Sequence, residues 1–250
     1  MKKVFLIILA LLLAGCGRKE VVIPETAMPE TVAVTTVPET TVPETTLPET
    51  IPTEPETVPT EPTLPPEPES DDVFVRVLDY IPTASQELMY ATENNFTGQV
   101  IYDFTEVYLR WGTVKKLQLV SEDLAQLDLY LKIWDGFRPV SAQFVLWEVC
   151  PNPTYVANPN NGYSSHSRGN TIDLTLVDAD GQELEMPTAF DDFSAKADRN
   201  YSDCTETAAN NAQLLEILME KHGFTGYSGE WWHFSDVTGY PVEQVFEPEG

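Results

Sequence analysis

Basic residues are scarce in this chain of 250 residues. Only 14 Lys and Arg stand against 40 Asp and Glu, a formal net charge of -26. That balance excludes nucleic acid as a partner, because neutralising phosphates requires Lys and Arg in excess. About a third of the acidic residues fall between Glu20 and Asp72, where no basic residue follows Lys19. The remainder stays acidic, which serves solubility and says little about fold. Long apolar runs are absent too: the stretch from Val4 to Leu13 is too short to span a bilayer. Histidine is nearly absent, with three in all: His166, His222 and His233. Of three cysteines, Cys16 lies near the start, while Cys150 and Cys204 stand where either a bridge or two separate small hydrophobes fits.

What is present divides the chain into three. Lys2 and Lys3, the apolar run and Leu13-Ala14-Gly15-Cys16 are ordered as in a bacterial lipoprotein signal, with small residues ahead of a cysteine that receives lipid. Residues 1–16 are therefore expected to be a signal ending in a lipidated Cys16, placing the protein outside the cytoplasm on the cell membrane. Residues 17–72 repeat a Val-Pro-Glu-Thr theme, as in Pro38-Glu39-Thr40 and Pro43-Glu44-Thr45. Such a segment buries too little apolar surface to offset the entropy of ordering it. Frequent Pro and repelling glutamates favour an extended stalk, on the order of 150 Å for fifty residues. Residues 73–250 hold nearly all the aromatic side chains and suffice for one catalytic domain with its own core.

Within that domain the patterning predicts an α+β fold, a mostly antiparallel central sheet flanked by helices. Leu117, Leu119, Val120, Leu124 and Leu127 recur at helical spacing over 115–130. Residues 129–134 read as a strand ending at Asp135-Gly136, and Pro139 suits the first turn of a short helix over 141–149. Residues 151–162 are a loop. Ile172, Leu174 and Leu176 alternate with polar residues over 170–177, as in a half-buried strand. An amphipathic helix over 205–221 carries Ala208, Leu214, Leu215, Leu218 and Met219 inward and ends at His222-Gly223. Residues 231–237 form a last strand.

Two fragments carry the chemistry. Ser164-Ser165-His166-Ser167-Arg168-Gly169-Asn170-Thr171-Ile172-Asp173 offers an imidazole and a carboxylate, and Gly229-Glu230-Trp231-Trp232-His233 offers a carboxylate and a second imidazole. Together they match the ligand inventory of a catalytic zinc with a general base beside it. On the functional reading His166, Asp173 and His233 are ligands and Glu230 takes the proton of the metal-bound water. On the plainer reading His233 and the two tryptophans are core. In a regular strand Glu230 and His233 point to opposite faces, so only a twist or bulge at Trp231-Trp232 brings them together. His222, in a last helical turn, reads as structural.

Asp135-Gly136-Phe137-Arg138-Pro139, the Ser-Ser-His-Ser-Arg-Gly run with its Ile-Asp-Leu-Thr-Leu continuation, and Glu-Trp-Trp-His resemble the zinc D-alanyl-D-alanine dipeptidases of the vancomycin-resistance type. Tyr90-Ala91-Thr92, Asn95-Phe96-Thr97-Gly98 and Thr188-Ala189-Phe190-Asp191 fit the same pattern, and the likeness runs from about Phe74 to the end. The resemblance implies one Zn2+ per domain, held by His166, Asp173 and His233, with Glu230 as general base and Arg138 stabilising the tetrahedral intermediate. It implies that Ser164 and Asp191 hold the ends of the dipeptide. One departure bears on Asp191: Met186-Pro187-Thr188 stands where the family commonly has Met-Gly-Thr.

The expected activity is zinc-dependent hydrolysis of D-Ala-D-Ala. The alternative is a D,D-carboxypeptidase trimming terminal D-Ala from peptidoglycan stem peptides, which an extracytoplasmic location suits; the double Trp before His233 favours the dipeptidase. A third possibility, a zinc-free wall-binding module on a stalk, fits poorly with a full ligand set plus Glu230. Partners are thus a small dipeptide or a stem peptide, and the membrane through the lipid. Cys16→Ala is expected to move the protein from the membrane fraction into the soluble one, read by fractionation and immunoblotting; unchanged membrane association would refute the lipid anchor.

Overall fold

The computed structural model describes residues 64–249. The expected signal segment with Cys16, and the expected stalk up to residue 63, lie outside the described residues. The elements run β1 (Phe74–Arg76), α1 (Val77–Tyr80), β2 (Ser85–Gln86), β3 (Tyr108–Arg110), α2 (Trp111–Ala125), β4 (Tyr130–Asp135), α3 (Val140–Val149), β5 (Thr171–Val177), α4 (Glu206–Lys221), β6 (Phe224–Tyr227) and β7 (Glu230–Asp236). Short 3-10 turns occupy Met89–Ala91, Ser165–Arg168 and Ala195–Ala197. The main sheet has the order β2-β4-β5-β7-β6, and β1 pairs with β3 separately. Only the β2–β4 pair is parallel; β4–β5, β5–β7 and β6–β7 are antiparallel. The fold class is α+β with a mostly antiparallel sheet, as the patterning predicts.

β5 is the middle strand, and every one of its residues is buried. The expected half-burial is thus corrected. Alternation shows which side chains share a face, but both faces of this strand are covered, so Asp173 and Thr175 are buried like Ile172 and Leu174. Helices α2 and α4 contact each other and the sheet, and Leu117, Leu124, Leu174, Leu215 and Phe234 join one core.

Helix α4 follows its sequence signals closely. The Thr205 hydroxyl accepts the Ala208 amide, capping the first turn. Ala208, Leu215 and Met219 are buried, while Leu214 and Leu218 are only partly so. Gly223, at φ +86°, ends the helix in the left-handed conformation. Helix α2 departs from its expected limits. It begins at Trp111, directly from β3, and stops at Ala125, because Asp128 turns left-handed at φ +55° and the Leu129 amide folds back on the Leu124 carbonyl. Leu119 and Leu127, expected inside, are exposed. Strand β6, in a segment to which the patterning assigns no element, forms a hairpin with β7.

The sheet is irregular on both sides of Asp173. Register shifts between Ile133 and Asp135 on β4, and Gly226↔Phe234 is followed by Tyr227↔Glu230 in the β6–β7 pair. Bulges of this kind bend a strand and re-aim its side chains. His222 lies elsewhere, its Nε2 2.6 Å from Asp123 Oδ2 on α2, a structural pairing.

Cys150 and Cys204 are free. Thiol titration of the Cys16→Ala chain in denaturant, without reductant, is expected to count two thiols; a count of zero would establish a bridge.

Candidate metal centre and active site

Asp173 sits directly opposite His233 in the β5–β7 register. Residues opposite one another in an antiparallel pair share a face, and His233 Nδ1 lies 3.0 Å from Asp173 Oδ1. His166 arrives from the turn ahead of β5. Its amide donates to the Ser164 hydroxyl at 3.3 Å, and its carbonyl accepts from the Gly169 amide at 3.1 Å. Gly169 has φ +72°, and a Cβ there would collide with the Phe74 ring, so the tight path from His166 into the strand requires glycine. The result places His166 Nε2 3.4 Å from Asp173 Oδ2 and 3.3 Å from His233 Nδ1.

Three potential ligand atoms thus converge, all within 4.8 Å of one another. A tetrahedral ion with bonds of about 2.0–2.1 Å sets neighbouring ligand atoms roughly 3.3 Å apart; the two imidazole nitrogens are 3.3 Å apart, and each lies 3.0–3.4 Å from a different oxygen of Asp173. The remaining ring nitrogens are spoken for. His166 Nδ1 donates to the Gly136 carbonyl at 2.8 Å, which leaves Nε2 as the lone-pair nitrogen, and His233 Nε2 is 3.4 Å from Ser165 Oγ. Such outer partners fix tautomer and ring orientation in metal sites. Asp173 Oδ1 is buried and makes no hydrogen bond, a cost that a cation at this point removes. The donor set of two imidazoles and one carboxylate fits a divalent transition metal and leaves a position open.

Glu230 enters from the start of β7. The β6–β7 bulge brings it to the same side as His233, with Oε2 3.5 Å from His233 Nδ1. Burial, reinforced by the Asp173 charge, raises the Glu230 carboxyl above its ordinary range. Burial alone would raise Asp173 as well, but His166 and His233 outweigh it and hold that carboxyl well below the usual range. Burial lowers the His166 imidazole, yet Asp173 and Asp135 together leave it raised.

Arg138 occupies the opposite wall, fully enclosed. Its Nη2 donates to Asp135 Oδ2 at 2.5 Å, Nη1 to Gln143 Oε1 at 3.0 Å, and Nε to the Tyr102 hydroxyl at 3.1 Å. The Tyr102 hydroxyl donates in turn to Asp135 Oδ1 at 2.7 Å. The guanidinium lies 5.0 Å from the Tyr90 ring centroid, and the Tyr90 hydroxyl donates to Asp191 Oδ2 at 2.9 Å. Asp191 takes a left-handed φ of +56°, which Asp tolerates better than most residues. Burial pushes its carboxyl up to about 8, against the Tyr90 hydrogen bond and with the help of Asp173. Pro187 does not carry this loop away: the Trp231 indole donates to Thr188 Oγ1 at 3.0 Å.

All seven expected site residues of the domain, Arg138, Ser164, His166, Asp173, Asp191, Glu230 and His233, therefore line one cleft of about 100 Å³. The sequence reading assigned no role to Asp135, Tyr102, Gln143 or Tyr90. Asp135 was in view three residues before Arg138, and a buried arginine requires such a carboxylate; the other three are joined to the site only by the fold.

An α+β domain that gathers two imidazoles and three carboxylates about one cleft, with a buried arginine opposite, defines a metal-dependent hydrolase. A peptidase family profile described as D-Ala-D-Ala dipeptidase matches residues 71–247, and the chain belongs to that family of metallopeptidases. It is 39% identical to a D-alanyl-D-alanine dipeptidase of Escherichia coli (strain K12) over 164 residues, 64% of this chain and 84% of that protein. It is 33% identical to one from Enterococcus faecalis over 165 residues, 58% of this chain and 82% of the relative. Among solved structures, a vancomycin-resistance D,D-dipeptidase in complex with a D-Ala-D-Ala phosphinate analogue overlaps 55% of this chain and 53% of its own, at 23% identity and a TM-score of 0.36.

The Arg138–Asp135 pair is enclosed on both sides. Removing one partner of such a pair leaves an uncompensated buried charge, so Asp135→Asn is expected to cost about 3 kcal/mol or more of folding stability, measured by urea denaturation. A loss under 1 kcal/mol would show that the network is not holding Arg138.

Proposed function

We propose that the protein is a zinc dipeptidase that hydrolyses D-Ala-D-Ala. The single observation that carries this reading is the convergence of His166 Nε2, Asp173 and His233 Nδ1 with Glu230 alongside. The relatives, each a D-alanyl-D-alanine dipeptidase, support the substrate.

His166, Asp173 and His233 hold the metal. Bound zinc supplies a Lewis acid and a water acidic enough to ionise near neutral pH. Glu230, raised by burial, takes the proton of the attacking water and passes it to the leaving amine. Arg138, fixed on three sides by Asp135, Gln143 and Tyr102, faces the developing oxyanion with no reorganisation left to do; such donors each contribute about 3 kcal/mol. Asp191 receives the ammonium group of the substrate. Its carboxyl is pushed up to about 8 where no cation meets it, and a substrate ammonium supplies that cation. Ser164, buried beside His166, anchors the dipeptide from the other side. The dipeptidase relatives favour a free dipeptide over a stem peptide. The order of basic, apolar and small residues ahead of Cys16 supports a lipid anchor, with the Pro-Glu-Thr segment as tether to an extracytoplasmic domain.

The test is zinc content and turnover side by side. The zinc-loaded enzyme is expected to release D-Ala from D-Ala-D-Ala, to lose activity to a chelator, and to act at least 100-fold less well on a pentapeptide stem. Glu230→Gln is expected to bind zinc normally and to lose at least 10³-fold in kcat, a loss in the range of general-base catalysis. Preferential cleavage of the stem would establish the carboxypeptidase instead, and an active Glu230→Gln variant would remove Glu230 from the mechanism.

A further inference from the structure

Glu230 and His233 face one metal only because β7 departs from regular pleating, and such a departure leaves main-chain groups without a ladder partner. In the β6–β7 pair Gly226 stands opposite Phe234 and Tyr227 opposite Glu230, so residues 231–233 bulge with no partner on β6. A carbonyl without a ladder partner needs a donor, because an unsatisfied buried carbonyl is costly. For Trp231 and His233 one side chain from outside the sheet provides it. Arg199 Nη2 donates to the Trp231 carbonyl at 3.1 Å and to the His233 carbonyl at 3.0 Å, and Nε donates to the Tyr227 carbonyl at 2.9 Å. The Arg199 amide also donates to the Ser228 carbonyl at 3.2 Å. A single residue therefore spans the hairpin from Tyr227 to His233, on both sides of Glu230.

The surroundings fit this use. The guanidinium carbon lies 4.3 Å from the Phe234 ring centroid, and Glu216 Oε1 on α4 is 3.4 Å from Nη1. Gly226 leaves the space: a Cβ there would collide with the guanidinium, although the backbone of Gly226 itself is not left-handed. Glycine is needed at 226 for the approach of Arg199 and not for its own conformation. The planar, forked guanidinium suits several carbonyls at once, where a lysine reaches one.

We infer that Arg199 is a positioning residue for catalysis: seated over Gly226, it fixes the bulge that turns Glu230 and His233 toward the same metal. This rests on the roles given to Glu230 and His233 above. Arg199 touches neither substrate nor metal, and acts through the main chain of β7.

The experiment compares Arg199→Met, Arg199→Lys, Gly226→Ala and Glu216→Gln in the full chain. Each is measured for zinc affinity, for the visible absorption of the Co2+-loaded protein, for kcat and KM on D-Ala-D-Ala, and for melting temperature. Arg199→Met and Gly226→Ala are expected to lower kcat about 100-fold, the scale of a misplacement near 1 Å, with KM changed less than about threefold. They are also expected to weaken zinc binding about tenfold or more and to alter the Co2+ spectrum, since His233 shifts. Arg199→Lys is expected to recover melting temperature without recovering kcat. Glu216→Gln, which loosens the ion pair but leaves the carbonyl contacts, is expected to lower melting temperature with kcat and spectrum intact. If Arg199→Met does not fold, Gly226→Ala and Arg199→Lys carry the same test. An unaltered Co2+ spectrum and kcat in those variants, or a kcat loss in Glu216→Gln as large as theirs, would reduce Arg199 to a stabilising contact. An inactive parent, or an active Glu230→Gln variant, would instead undo the functional reading beneath.

Discussion

A carboxylate in the middle strand of a covered sheet has to be answered by positive charge, and Asp173 sets the terms for everything around it. It is enclosed, with one oxygen that no hydrogen bond reaches. An isolated buried carboxylate would gain a proton to escape that cost. Here two imidazoles hold it ionised, and the β5–β7 register puts the His233 ring opposite it. A one-residue slip would send His233 to the other face, so the apolar pattern that places Ile172, Leu174 and Phe234 in the core also places the ligands. Core packing and metal binding are thus one constraint, read from opposite sides of the same strands.

The departures from regularity fall where that constraint needs help. A sheet offers alternating faces, and a site that needs consecutive residues on one face must break the alternation. On β4 the break lies between Ile133 and Asp135, bringing Asp135 opposite Asp173 and within reach of Arg138. On β7 it lies between Glu230 and His233. An arginine stands beside each irregularity: Arg138 ties the Asp135 side chain to Tyr102 and Gln143, and Arg199 takes main-chain carbonyls of β7. The two arginines are not interchangeable in role, since one faces the cleft and the other the back of the hairpin.

What was legible in the sequence follows from how local each cause is. Helix α4 announces itself through Thr205, its apolar stripe and Gly223, all within the element. The three candidate ligands stood out because histidines are few and their neighbours distinctive. Strand β6 did not: four residues containing Gly226 carry no alternation, and they pair only because β7 returns beside them. Leu119 and Leu127 look like core by spacing, but Leu119 lies on the outer face of α2 and Leu127 lies beyond its end at Ala125, and both are exposed. Asp135 and Arg199 belong to networks that join residues 33 and 34 positions apart, and no periodicity encodes such a partner.

The charge balance of the cleft also bears on which end of a peptide it accepts. Asp135 is committed to Arg138 and Asp173 to the two imidazoles, while Asp191 has only the Tyr90 hydroxyl. Burial drives the Asp191 carboxyl up to about 8. An ammonium group bound there lets the carboxyl ionise and gains an ion pair in a site with little water, where such a pair is stronger than in bulk. A stem peptide brings an amide to that position, which offers a weak donor and no charge. On the proposal that Asp191 receives the substrate ammonium, discrimination between a free dipeptide and a longer chain would rest on the same burial that perturbs Asp191.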